Sequence, residues 1–253
     1  MTASTPPAVA ASASGGDTAT LAALLAGAGR IVVRHASDYY GLAGWLLVPL
    51  LLVVAAFATG GATGNLLITI ANVGFIFLLA WFLSAGTLLT AVAVHHPDRV
   101  IDPRHLGAAA WKRVSPLLAT LLLAAVLELA GLLLFIVPGI IAFTYFTFAL
   151  EVSVLGNRSG FTGLAASREL VRGKFWTIFW RAFGIFAAVV LVYLLLVTLL
   201  VMLGASLGSL DPAMLTQAPP PLWLEVAISV LQIALLPFAL AAHVLLYLSL
   251  CDR

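Results

Sequence analysis

The chain has 253 residues, 63% of them hydrophobic and only 9% charged, with 12 Lys and Arg against 10 Asp and Glu. Soluble domains carry about 25% charged residues, so a water-facing surface over the whole chain is excluded and lipid must cover much of it. The one cysteine, Cys251, excludes an internal disulfide.

Residues 1–17 are mostly Ala, Ser, Thr, Pro and Gly with one Asp. They read as a disordered tail, with no basic start before an apolar core and hence no signal peptide. Residues 18–253 read as a single membrane domain. Its first element, about 18–36, is amphipathic. At helical spacing Leu21, Leu24, Leu25, Ala28, Ile31 and Val32 share one face with Arg30 and Arg34 opposite, the pattern of a helix lying on the inner leaflet.

Crossing about 30 Å of hydrocarbon takes about 20 helical residues. Six segments qualify: 39–58, 66–94, 116–137, 139–155, 175–203 and 222–250. The third and fourth are expected to meet at a tight Pro138-Gly139 turn. Pro49 and Pro237 fall inside spans one and six, where each removes a backbone hydrogen bond and should bend its helix.

The cations are segregated. They are Arg30 and Arg34; Arg99, Arg104, Lys112 and Arg113; Arg158, Arg168, Arg172, Lys174 and Arg181; and Arg253. The intervening connections 59–65, 138–139 and 204–221 contain none, and carry only Asp211, with Glu225 just inside span six. With six spans all the basic segments share one side. The excess of Lys and Arg on cytoplasmic loops makes that side the cytoplasm and puts both termini there, as in a bacterial inner membrane. A basic amphipathic segment recurs before each pair of spans, at 18–36, at 103–114 and at 160–173. The expected fold is therefore an all-α membrane protein, six transmembrane helices with three basic interfacial amphipathic helices, an amphipathic helix plus helical hairpin taken three times.

The third unit follows Pro138-Gly139-Ile140 and reads Gly163-Leu164-Ala165-Ala166-Ser167-Arg168-Glu169-Leu170-Val171-Arg172-Gly173-Lys174-Phe175-Trp176. Over about 135–185 this resembles the membrane domain fused to some bacterial glycerophosphoryl diester phosphodiesterases, which also occurs in stand-alone membrane proteins. That family pairs a Pro-Gly hairpin with roughly Ala-Leu-x-x-Ser-x-x-Leu-Thr-x-Gly-x-x-Trp. Leu164, Ser167, Leu170, Gly173 and Trp176 match, while Gly163 stands for the Ala and Val171 for the Thr. The resemblance implies the fold. It does not bring the activity, because the family's catalytic site lies in a separate soluble barrel for which this chain has no room.

Physically, Gly173 is placed to end the third amphipathic helix in a left-handed cap, and Phe175 and Trp176 to enter the next span at headgroup depth. Arg168 and Arg172, four apart, are expected to share one helix face, where like charges repel mildly. An anionic headgroup would relieve this, as would Glu169. Together with Lys112 and Arg113 they are the expected lipid-headgroup contacts.

Ionisable groups inside spans are functional candidates by default. Glu128 lies about 13 Å from the outer end of span three at 1.5 Å per residue, and Tyr193 of span five and Gln232 of span six lie about 15 Å from theirs. The three are expected to meet, with Ala124, Ala125 and Gly131 letting a helix approach Glu128. That cluster reads either as packing glue or as a proton or ligand site. Glu151 and Arg181 are expected to form a buried structural ion pair between spans four and five. His95, His96 and Asp98 lack further ligands at a set spacing for a metal, and His243 reads as a satisfied packing residue.

No P-loop, Gly-x-Ser-x-Gly, cysteine pair or His-Glu-x-x-His occurs. No cofactor is implied, and the cations read as lipid-facing rather than nucleic-acid-binding. The expectation is a non-enzymatic scaffold whose partners are membrane lipids, other membrane proteins or a second copy. The alternative is a transporter or channel subunit working through Glu128, with a lipid enzyme a more distant third.

Overall fold

A computed structural model describes residues 20–96, 102–208 and 221–251. The expected tail 1–17, Asp98, and most of the connection 204–221 with Asp211 lie outside the described residues.

Every regular element described is helical: α1 Leu21–Arg34, α2 Ala36–Ala43, α3 Leu47–Thr59, α4 Gly61–His95, α5 Pro103–Leu134, α6 Ile136–Phe146, α7 Ala149–Val154, α8 Phe161–Val171, α9 Phe175–Ser206 and α10 Leu222–Cys251. Six helical stretches are long and apolar enough to cross a membrane: Ala36–Thr59, Gly61–His95, Arg104–Leu134, Ile136–Val154, Phe175–Ser206 and Leu222–Cys251. The six-span, all-α architecture read from hydropathy is the one observed.

The turns differ in detail from the sequence reading. The first hairpin pivots on Gly60 and Gly61 (φ +61° and +55°), both at positive φ, which suits glycine. The second pivots on Phe135, an extended residue between Leu134 and Ile136. Pro138 is therefore not in the turn but in the first turn of α6, where its missing N–H leaves nothing unsatisfied. Gly139 then lies against Leu132, whose side chain is 2.5 Å from where a Cβ would be, and a Cβ at Gly131 would lie 3.2 Å from the Pro138-Gly139 backbone. Of the small residues near Glu128, Gly131 thus serves the α5–α6 hairpin, while Ala124 packs with Ala149 of α7 and Leu164 of α8. Span one is α2 and α3 joined by a 3-10 turn, Gly44–Leu46, which leaves Pro49 in the first turn of α3.

The amphipathic segments also need correction. α1 does form, capped by the Thr20 hydroxyl, but Leu24, Ala28 and Val32 are buried against the bundle. Gly27 abuts Leu245 of α10, and Leu21 abuts Gly184 of α9. The apolar face meets protein rather than lipid, because α9 and α10 leave a groove there. The second segment is not a separate helix. It is the start of the 32-residue α5, which begins at the Asp102 cap and runs unbroken through Pro116. The third, α8, is separate and ends as expected, with Gly173 at φ +82° just past its C-cap.

Burial is concentrated at the end of the bundle that carries the cations. It involves α4 from Ala80 to Ala93, α10 from Leu240 to Leu250, and Tyr39, Phe148, Val171 and Ile178. Tyr39 and Thr90 stand 2.6 Å apart, and Thr90 gives its own proton to the Gly86 carbonyl, so Tyr39 is the donor between them. Toward the opposite end, side chains such as Leu133, Leu195 and Met202 are exposed.

Candidate functional site

Span four is interrupted. After a run of aromatic and β-branched residues, Thr144-Tyr145-Phe146-Thr147-Phe148, helix α6 stops and α7 starts at Ala149. Such residues are weak helix formers. The break also strands backbone groups that lipid cannot satisfy. Ser167 on α8 supplies what is missing. Its Oγ accepts from the Phe148 N–H at 3.2 Å and donates to the Tyr145 carbonyl at 2.8 Å. Ser167 is fully buried. Thr120 of α5 makes the matching connection at the start of α8, accepting from the Gly160 N–H at 2.8 Å. Gly163 packs too close to the Arg158 carbonyl for any side chain, the nearest approach to a Cβ being 2.7 Å.

The interruption turns Glu151 inward. Glu151 is 0% exposed, and its Oε1 lies 2.6 Å from Nδ1 of His243 on α10. His243 is 27% exposed at its side chain; its Nε2 lies 3.4 Å from the Thr147 hydroxyl, and its ring packs against Phe148. The Glu151 Oε2 is buried without a hydrogen-bond partner. The expected Glu151–Arg181 pair is therefore replaced by Glu151–His243. His243 reaches the buried carboxyl from α10, whereas Arg181 is on α9, which packs along α10, α1 and α6. Nothing in the local sequence links Glu151 to His243, which lies 92 residues further on. Beside this pair, Val152, Gly156, Arg158, Glu169, Leu170 and Tyr247 line a cavity of about 430 Å³ at the basic end.

The intramembrane trio is only partly assembled. Gln232 Nε2 donates to the Tyr193 hydroxyl at 3.0 Å. Glu128 does not join them. It is half-buried on α5, which packs on α4, α6 and α7 while α9 and α10 pack on each other. Equal depth was legible in the sequence; the rotational setting around the bundle was not.

Of the expected headgroup contacts, Lys112, Arg168 and Arg172 are exposed and Arg113 is half-buried, its Nη1 sealed without a hydrogen-bond partner. Arg168 sits over the Tyr145 ring at 5.7 Å. Arg172 is the C-cap of α8, with ψ 128°, so the two arginines do not share a helical face. Exposed Trp111 and Phe161 stand on the same elements, and exposed Trp176 and Trp180 on the first turns of α9, which follows α8.

Six apolar spans with an interrupted fourth and a buried acid–imidazole pair make this a multi-pass helical membrane protein. No family model, curated protein or solved structure matches the chain.

Proposed function

We propose that this protein is a non-enzymatic membrane scaffold that gathers anionic lipid at its basic end, with that end and both termini in the cytoplasm of a bacterial-type inner membrane. The supporting observation is the exposure of Lys112 beside Trp111 on α5 and of Arg168 and Arg172 on α8 and its C-cap, with Phe161 exposed at the start of α8 and Trp176 and Trp180 exposed on the first turns of α9, which follows it. Tryptophans of this kind favour the headgroup layer, where a neighbouring cation meets lipid phosphate. The segregation of Lys and Arg supports the orientation. The positions that match the glycerophosphoryl diester phosphodiesterase membrane-domain pattern, notably Leu164, Ser167 and Gly173, are ones that build the α8 elbow. That supports kinship with stand-alone members of that group. A transporter or channel subunit working through Glu128 is the weaker reading, because Gln232 and Tyr193 bond to each other and not to it.

The test is lipid selectivity. Purified protein in mixed phosphatidylglycerol and phosphatidylcholine nanodiscs should retain phosphatidylglycerol preferentially. Each basic side chain near an anionic surface contributes about 1 kcal/mol, so Arg168→Gln with Arg172→Gln should lower the preference by roughly tenfold or more. An unchanged preference would remove the proposal.

A further inference from the structure

Away from the basic end, α3, α4 and α10 enclose a cavity of about 420 Å³. That is within the roughly 300–1,000 Å³ of small-molecule sites. Most of its wall is apolar, including Leu50, Phe75 and Leu236, but Asn72, Ser229 and Gln232 also line it, and no charged residue does. Asn72 is eleven residues into α4 and Gln232 ten into α10, both counted from the end of the bundle without cations. At 1.5 Å per residue both lie about 15 Å deep, near the middle of the hydrocarbon. Asn72, Phe75 and Gln232 are exposed, so the cavity opens on the lipid-facing surface.

The hydrogen-bonding capacity of these residues is only partly used. Gln232 gives its amide to Tyr193, and Ser229 gives its proton to the Glu225 carbonyl. The Gln232 carbonyl oxygen and the whole Asn72 amide have no partner among the described residues. At mid-membrane depth water is not there to serve them, and hydrocarbon cannot. What would satisfy them is an apolar molecule bearing at least one hydrogen-bond donor and one acceptor. A charged headgroup does not qualify, since nothing in the wall offsets a charge at that depth.

We propose that this cavity is a binding site for an uncharged amphiphilic lipid, a hydroxylated ester of the monoacylglycerol class. Its polar group would reach Asn72 and Gln232, and its chain would run over Leu50, Phe75 and Leu236. The site is distinct from the cationic surface and would be reached sideways from the bilayer.

The probe is a monoacylglycerol with a diazirine on the carbons next to its ester, photolysed with the full chain in phosphatidylcholine nanodiscs and mapped by peptide mass spectrometry. Adducts should saturate with probe concentration and fall on α3, α4 and α10 around the cavity. Asn72→Leu with Gln232→Leu should cut them at least fivefold, with the protein's elution profile unchanged. The free fatty acid carrying the same diazirine should label the site weakly. Non-saturating adducts spread along the exposed faces of α5 and α9 in the native protein would overturn the assignment, whatever the folding of the double variant. Equal labelling by the carboxylate probe would overturn the neutral-ligand part of it. Modification of Asn72→Cys by a membrane-impermeant thiol reagent, which marks a water-filled cavity, would do the same for the whole site.

Discussion

Removing His243 should destabilise this protein more than removing Glu151, although the two are partners in one contact. Glu151 is wholly buried and rests on His243 through Oε1 alone, its Oε2 having no hydrogen bond. In His243→Leu the carboxyl group therefore loses its one partner with no access to water. Truncating one side of a buried pair in this way costs about 3–5 kcal/mol. In Glu151→Leu the remaining group is a ring that is 27% exposed and lies 3.4 Å from Thr147. It can find another partner, so the cost should fall to the roughly 1–3 kcal/mol of a partly compensated polar group. The double variant, apolar on both sides and similar in volume, should recover most of the loss, since a well-packed apolar replacement is often about neutral. Reversible unfolding in mixed micelles, followed by circular dichroism against the mole fraction of dodecyl sulfate, gives all four corners of the cycle. The expected order of stability is wild type and double variant, then Glu151→Leu, then His243→Leu. If the two single variants were additive to within about 0.5 kcal/mol, or if Glu151→Leu were the worse, the contact would not be what holds α7 to α10. The parallel cycle between Glu151 and Arg181 should be additive.

Ser167→Ala removes both hydrogen bonds across the break in span four and leaves the buried Phe148 N–H without a partner. It should cost about 1–3 kcal/mol in the same assay, and Thr in its place should restore much of it; an alanine variant as stable as wild type would mean that α8 is held by apolar packing alone. For orientation, a cysteine placed at Gly60 in a Cys251→Ser background should react with a membrane-impermeant maleimide from outside intact cells, and one at Arg104 only after lysis; the reverse pattern would invert the proposed topology.

Hydropathy made the six spans legible because a lipid solvent imposes a simple length-and-polarity rule on each helix separately. The same independence hid what lies between helices. The fourth span's break at Thr147-Phe148 has no proline or glycine to announce it; it is tolerated because Ser167, twenty residues further on, satisfies it. The resemblance pointed to Ser167 without saying why. The α1 face was read correctly as apolar, but nothing local distinguishes a helix that rests on lipid from one packed by Leu24, Ala28 and Val32 against α10. Likewise Pro138-Gly139 was recognised as marking a hairpin. Its place inside α6 depends on Gly139 meeting Leu132, which is a matter of packing rather than of turn propensity.

The uneven burial follows from the same solvent argument. Helices α4, α5, α9 and α10 have 30 to 35 residues, about 45–53 Å of helix against about 30 Å of hydrocarbon. Within the hydrocarbon an apolar side chain gains little by leaving lipid for protein, so packing there is optional and the helices can splay. The excess length, where it emerges, meets water, and there apolar groups must be covered. The buried stretches Ala80–Ala93 and Leu240–Leu250, together with α1 and α8 laid over them, lie at the end where the cations cluster. A buried core at that end and exposed apolar side chains toward the other are two responses of one sequence to two solvents. The less buried half is also where a cavity opens toward lipid at Asn72 and Gln232, away from the part that holds the fold together.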